Sequence, residues 1–393
     1  MYLVTNGRLI TRDPDGKGYY EHGAVAYEGS QIVEVGEESA LRAKYADAEI
    51  IDAKGGVIMP ALINAHTHIY SALARGLSIV GNNPTNFYEV LDGTWWAIDR
   101  HLMMDGTRAS ATALYMDSIK QGVTTIFDHH ASYGEIPGTL HTIAEESKRL
   151  GLRSCLCYEV SDRDGEEKCL QAIQENADFI SECEKNKDPM LAAMFGGHAL
   201  FTISDKTFDR MVEANNGRTG YHIHVSEGMN DVYDSLQNYG RRPVQRLQDH
   251  GILGEKTILG HCIHVNTAEM EIIKETGTMV VNNPESNMGN AIGICPVLQL
   301  HKRGILLGMG TDAYTNDMLE SLKVALCSQR SQNCLPNVGW CEVTDMLFKN
   351  NAKIGEKYFP ATLGVLKAGA AADIIVMDYK PLPPSPMRTS TAT

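Results

Sequence analysis

His66-Thr67-His68 places two imidazoles two residues apart at the end of an apolar run. Residues i and i+2 of a strand point to the same side, so both rings can converge on one ion. A second run carries His222 and His224 and is followed by Glu227. Others end at Asp128-His129-His130, His198, His261 and Thr311-Asp312. Two imidazoles from one strand end, a third from another and a carboxylate make a donor set suited to zinc, with iron the main competitor. His222 and His224 share a face, so spacing alone leaves the choice between them open; Glu227, three residues beyond His224, favours His224. His198 is a further candidate ligand. No lysine ends the third or fourth run, where a carbamylated lysine could bridge two ions, so one divalent metal per chain is expected. Such an ion lowers the pKa of its bound water to about 7, which makes hydrolysis at neutral pH the chemistry in view.

These groups need a scaffold that brings strand ends together. Eight apolar runs stand out: Val57–Ile63, Thr124–Asp128, Ser154–Val160, Leu191–Phe195, Tyr221–Val225, Thr257–Gly260, Thr278–Val281 and Ile305–Gly308. Helix-forming stretches lie between them, among them Leu140–Leu150, Pro243–Asp249 and Ala268–Glu275. Strands alternating with helices predict a parallel sheet, and eight such units predict an α/β (β/α)8 TIM-type barrel with its site at the C-terminal strand ends. The chain ends read differently. Leu3–Asn6, Ala24–Glu28, Ile32–Val35, Glu49–Asp52 and Ala372–Asp378 are short strands. They predict a small β-sandwich-like domain from residues 1–56 and 363–393, flanking a barrel over 57–362.

The 393 residues carry a net charge of −14 and no basic run, which argues against nucleic acid or an anionic membrane as partner. No apolar stretch approaches the roughly 18 residues of a membrane span, and the N-terminus lacks the pattern of a secretory signal. Nine scattered cysteines fit neither a zinc ribbon nor a CxxC redox site. A cytoplasmic protein is expected.

At the polar strand ends the sequence resembles the amidohydrolase superfamily, in its deaminase and chlorohydrolase branch. Val57–His68 (VIMPALINAHTH) is similar to the branch's PG…HxH entry, with Ala61 in place of the usual glycine. HIHVSE (His222–Glu227), GHCIH (Gly260–His264), NPESN (Asn283–Asn287) and GTD (Gly310–Asp312) match its later signatures, and LGVLKAGAAADIIVMD (Leu363–Asp378) its return to the small domain. The nearest group is the SsnA-like aminohydrolases associated with selenium and purine metabolism. The resemblance implies His66, His68, His224 and Asp312 as metal ligands, Glu227 as proton shuttle, and His261 and Asp312 as catalytic partners of the attacking water. It implies substrate contact at His198 (Gly196–His198, GGH). The long segment Ile69–Gln121 is the expected specificity element and offers Arg75, Trp95 and Trp96.

The implied reaction is deamination of a purine-like or other small N-heterocyclic substrate, by a homodimer. Opening of a cyclic amide or amidine at the same site is the alternative, and a non-catalytic scaffold is the alternative of another class. Relatives usually continue well past the ADIIVMD strand, whereas Lys380–Thr393 (KPLPPSPMRTSTAT) is rich in Pro, Ser and Thr. An incomplete small domain is therefore expected.

Overall fold

The computed structural model describes residues 1–379. The chain divides into two compact units: Met1–Ile63 with the chain from Pro360 onward, and Asn64–Phe359.

In the first unit, β1 (Tyr2–Ile10) pairs antiparallel with β2 (Tyr19–Glu28), and β2 with β3 (Gln31–Glu37). The other edge of β1 is shared in parallel by β4 (Glu49–Asp52) and β5 (Val57–Pro60), and the strand Ile374–Met377 adds antiparallel to β5. Both chain ends thus build one six-stranded sheet. Alternation along the strands gives it two apolar faces. Leu3, Ala24 and Ala26 pack with Leu41 of the helix Glu38–Lys44, while Val4, Leu9, Val25 and Ile58 pack with Leu366 and Ala370. A helix and a loop cover these faces. The sandwich-like arrangement expected from the sequence has no second sheet among the described residues, and Lys380–Thr393 lies outside them.

The expected run Val57–Ile63 divides after Pro60. Its first part is β5 of the small sheet, and the chain resumes as β6 (Leu62–Thr67), the first barrel strand. The remaining barrel strands are β7 (Val123–His130), β8 (Arg153–Tyr158), β9 (Leu191–Ala193), β10 (Phe195–Ala199), β11 (Tyr221–Val225), β12 (Ile258–His261), β13 (Met279–Asn282) and β14 (Leu307–Met309). They form two sheets, β6-β7-β8-β9 and β10-β11-β12-β13-β14. Parallel bridges Val160–Gly197 and Thr67–Asp312 join the two into a ring. β9 and β10 are one barrel position interrupted at Met194, so eight positions close an α/β TIM-type barrel.

Side chains complete the wall where strand pairing lapses. Between β8 and β10 the Asn176 carboxamide accepts from the N–H groups of Tyr158 (2.9 Å) and Gly196 (3.1 Å) and donates to the Tyr158 carbonyl (2.8 Å). Only glycine fits at 196, because a Cβ there would stand 2.2 Å from that carbonyl. Gly310 plays the same part at the other closure: its Cβ would meet the His66 carbonyl at 2.6 Å. That close approach lets the N–H groups of Thr311 and Asp312 donate to the His66 oxygen at 2.9 and 3.0 Å. Two remote stretches of sequence, HxH and GTD, are thereby locked together.

Outside the barrel wall, Glu146 on the helix Thr139–Leu150 accepts from Arg149, Thr112 and Arg108 at 2.6–2.9 Å. Arg149 first, then the Thr112 and Arg108 bonds, hold its carboxyl down to about 2. A depressed carboxylate contributes stability above its unfolded pKa, about 4.3, and loses it as pH falls toward 2. Glu146→Gln is therefore expected to lower the melting temperature by a few degrees at pH 7 and to leave it unchanged near pH 2, read by thermal unfolding across pH. No helix among the described residues is long and apolar enough to cross a membrane.

Candidate metal-assisted hydrolytic site

Strand ends on one rim of the barrel deliver the polar residues. His66 and His68 come from β6 and the residue after it, His224 from β11, His261 from β12, and Asp312 follows β14. All are buried. Three of the turns out of these strands are left-handed: φ is 48° at Ser226, 68° at His261 and 57° at Asp312. Residues with side chains adopt this region at a cost of order 1–3 kcal/mol each, so surrounding bonds must hold them. Asp231 accepts from the Ser226 N–H at 2.7 Å, Cys262 N–H donates to the Val225 carbonyl at 3.0 Å, and Asp312 N–H is tied to His66.

Hydrogen bonds at the far nitrogens aim the imidazoles. His68 Nδ1–H donates to the His129 carbonyl at 2.6 Å, and His224 Nδ1–H to the His198 carbonyl at 3.0 Å. Each Nε2 lone pair is thereby turned inward. His66 Nδ1 is engaged by His222 Nε2 at 2.8 Å, leaving its own Nε2 buried without a hydrogen-bond partner. The three Nε2 atoms gather on the Asp312 carboxylate. Its Oδ1 is 2.7 Å from His68 and 3.4 Å from His66, and His68 Nε2 lies 3.2 Å from His224 Nε2. Ser286 Oγ donates to the other oxygen, Oδ2.

Burial pushes His66 down to about 3 and His224 well below the usual imidazole value, so both rings are neutral and free to donate lone pairs. Burial would depress His68 as well, but the Asp312 carboxylate outweighs it and raises His68 to about 9. Asp312 responds in kind: burial pushes it up, while His68 and His66 pull it well below the carboxylate range. The cluster thus draws a positive charge to the point where the lone pairs meet. An orphaned inward imidazole nitrogen, two neighbours fixed in the ligating tautomer and an ionised carboxylate together fit a divalent cation.

His66, His224, His261 and Asp312 also place one donor atom each within 4.8 Å of one another, so His261 stands at the same point as the four residues read from the sequence. His261 Nδ1–H donates to Asn287 Oδ1 at 2.8 Å, and Asn287 Nδ2 in turn donates to Asn282 at 3.0 Å. This chain fixes the His261 tautomer, with Nε2 facing Glu227 Oε1 at 3.6 Å. Glu227 is buried without a cationic partner. Desolvation first, and the Asp312 charge second, push its carboxyl well above the usual range.

An open pocket faces the cluster, with both apolar and polar side chains in its lining. Tyr70, Phe87, Leu91, Trp95 and Trp96 form its apolar wall, and His68, His198, His224, Glu227 and Asp312 its polar side. Trp95 and His198 are among the lining residues, and Arg75 is not. Its guanidinium pairs with Asp117 at 3.1 Å on the exposed surface and is not part of the lining, because an adjacent carboxylate in water holds a charge the apolar wall would have to desolvate. His129 and His130 serve structure: His129 Nε2–H donates to the carbonyls of Gly197 and His222, and His130 bonds Ser132.

Glu159 is the residue that sequence reasoning missed. It follows β8, is buried, and lines the pocket beside His198. Burial would raise its carboxyl, but His198, His129 and Arg163 hold it down to about 2. The signal was available: a glutamate stands one residue before the end of the third apolar run, near where several other runs meet histidines or an aspartate.

A model of the amidohydrolase family matches residues 57–392. Among curated proteins, the chain is similar to a 5'-deoxyadenosine deaminase of Methanosarcina barkeri, 29% identical over 96% of this chain and 84% of the relative. It is also similar to a 5-methylthioadenosine/S-adenosylhomocysteine deaminase of Thermococcus sibiricus, 30% identical over 90% of this chain and 80% of the relative. Similar solved structures are an adenosine deaminase from Xanthomonas campestris with bound zinc and the E. coli guanine deaminase. Their TM-scores are 0.81 and 0.82 at 23% and 18% identity, over 96% of this chain in both cases and 84% and 89% of theirs.

Proposed function

The chain belongs to the amidohydrolase family, and from that premise we propose that it is a metal-dependent deaminase, releasing ammonia from an amino-substituted N-heterocycle of the purine-nucleoside type. The observation that carries the reading is the pairing of an inward-facing imidazole–carboxylate cluster with a buried carboxyl, Glu227, on one pocket wall. His66, His68, His224 and Asp312 would hold one divalent ion, for which zinc is favoured by the donor set and by the zinc bound in the similar Xanthomonas deaminase. Such an ion, when bound, supplies Lewis acidity that brings the pKa of water toward about 7.

The chain's own residues supply the proton traffic. Glu227, its carboxyl pushed well above the usual range by burial and by Asp312, is suited to hold a proton and donate it to a ring nitrogen, which makes the adjacent carbon electrophilic. His261, its Nδ1–H committed to Asn287, presents a fixed Nε2 that orients the attacking water. Asp312, ionised and held by Ser286, takes the proton that the water gives up and can return it to the departing amine. Trp95, Trp96 and Tyr70 exclude bulk water and offer faces for a flat ring. The pocket continues past Phe87 and Asn290, which line both parts, into an outer cleft. Thr85, Asn86, Asn230 and His264 line that cleft, and no charged side chain does. A neutral sugar or short substituent suits it better than a phosphate.

The test is zinc-loaded protein incubated with 5'-deoxyadenosine, methylthioadenosine and adenosine. The expected result is one ammonia per turnover and the absorbance of the intact 6-oxopurine. Ring-opened product, or no turnover from protein carrying about one metal per chain, overturns the reading.

A further inference from the structure

Thr202 sets the tautomer of His198. The Thr202 hydroxyl donates its hydrogen to the Ala199 carbonyl at 2.8 Å, so its oxygen must accept from His198 Nδ1–H, also at 2.8 Å. Neutral His198 therefore shows a lone pair at Nε2. That atom faces Glu159 Oε1 at 3.6 Å, and both residues line the pocket. Two acceptors stand side by side with no hydrogen between them.

The surrounding donors do not relieve this. Arg163 is clamped by Asp99 at 2.5 and 3.2 Å and packed against the rings of Tyr133 and Trp96, so its Nη2 stays 3.6 Å from Glu159 Oε1. His129 Nε2–H is committed to backbone carbonyls, and its Nδ1, 3.4 Å from Glu159 Oε2, is itself without a hydrogen-bond partner. The carboxylate is held in place by charge at a distance, with its Oε1 open toward the pocket.

We infer that His198 Nε2 and Glu159 Oε1 form a double-acceptor clamp that selects rings carrying an N–H donor pair on that wall, such as an amino group beyond the one released. A primary amine on a ring has two hydrogens with the divergence to meet two acceptors a few ångström apart. A ring that presents oxygen or a bare nitrogen there meets two lone pairs and leaves a buried carboxylate unsatisfied. Diamino- and amino-oxo-purines satisfy the clamp, whereas adenosine-type rings, whose only amino group faces the attacking water, leave it unfilled and are expected to bind as the weaker members of the same substrate class. Glu159 is thus a specificity residue, and Thr202 a positioning residue acting through His198.

This inference rests on the deaminase reading for its substrate class, but binding tests it separately. The probes are 2-aminopurine and purine, which differ by one amino group, titrated calorimetrically into zinc-loaded wild-type, Glu159→Gln and Thr202→Val proteins. A hydrogen-bonded pair involving a charged acceptor corresponds to about 10–100-fold. Wild-type protein is expected to bind 2-aminopurine at least about tenfold more tightly than purine. Glu159→Gln removes most of that preference, by weakening 2-aminopurine and relieving the penalty on purine, and Thr202→Val narrows the gap with Glu159 still present. Equal affinities in the wild type, equal losses of both ligands in Glu159→Gln, or no binding of either probe overturns the clamp. Ammonia release from adenosine-type nucleosides is scored on the same preparations. A clamp without ammonia refutes the deaminase alone, and ammonia without a clamp refutes this inference alone.

Discussion

Replacing His224 with alanine is expected to reduce bound metal from about one ion per chain to near none, and to lower turnover by roughly a thousandfold or more. Lewis-acid assistance is worth several kcal/mol of barrier, and each 1.36 kcal/mol is about a factor of ten. The His224 ring supplies one of three inward Nε2 atoms, and its Nδ1–H is the donor to the His198 carbonyl. Its loss therefore removes a ligand and frees the residue beside the substrate wall. His222 is the instructive control, since it lies on the same strand face. Its Nε2 engages His66 Nδ1 from one layer deeper. Groups that orient a ligand in this way are worth about 10–100-fold in metal affinity, so His222→Asn should bind metal more weakly but still bind it. Elemental analysis and zinc titration of the two variants separate the roles. Equal metal content in wild type and His224→Ala would remove His224 from the ligand set, and equal loss in both variants would leave the two histidines undistinguished.

That contrast also marks where the sequence is legible and where it is not. Strand parity puts His66 with His68 and His222 with His224, because period two is a property of the backbone alone. Depth along the barrel is not, since it depends on how strands stagger around the closed ring. Only the closure through Gly310, Thr311 and Asp312 against His66 shows that His222 reaches a neighbouring ring while His224 reaches the site. The same limit explains Arg75. An arginine shortly after a strand end is chemically apt for a substrate contact, and nothing local reveals that Asp117 will take it. Pro60 was a readable break in the run Val57–Ile63, since proline cannot donate to a central ladder, and the small sheet ends there. Glu159 differs again. Its run is legible, and its charge stands one residue before the run's end. Its meaning depends on Thr202 fixing His198, about forty residues further along the chain, and on Asp99 occupying Arg163 from about sixty residues away, contacts that no spacing rule around Glu159 encodes.

Glu227→Gln should cost about 10²–10⁴ in kcat, the range for loss of a positioned proton donor, while metal content stays at the wild-type level. Glutamine keeps the shape of the side chain but cannot deliver a proton to a ring nitrogen, so KM should move little and kcat should carry the effect. The same substitution has an opposite effect on stability. In metal-stripped protein the Glu227 carboxyl is raised by burial and by Asp312, so the folded state holds a proton that the unfolded chain releases above about 4.3. Folding stability of the wild type then falls as pH rises past that point, by about 1.4 kcal/mol per pH unit, until the folded group itself ionises. Glutamine has no such dependence. The variant should therefore match the wild type near pH 4 and become the more stable protein toward pH 7, measured by denaturant unfolding in the presence of chelator. A variant that turns over normally would deny Glu227 the proton-donor role. A variant that is slow yet shows no pH-dependent gain would mean that its carboxyl is ionised in the folded protein, so that it acts as an acceptor in the reaction instead of a donor.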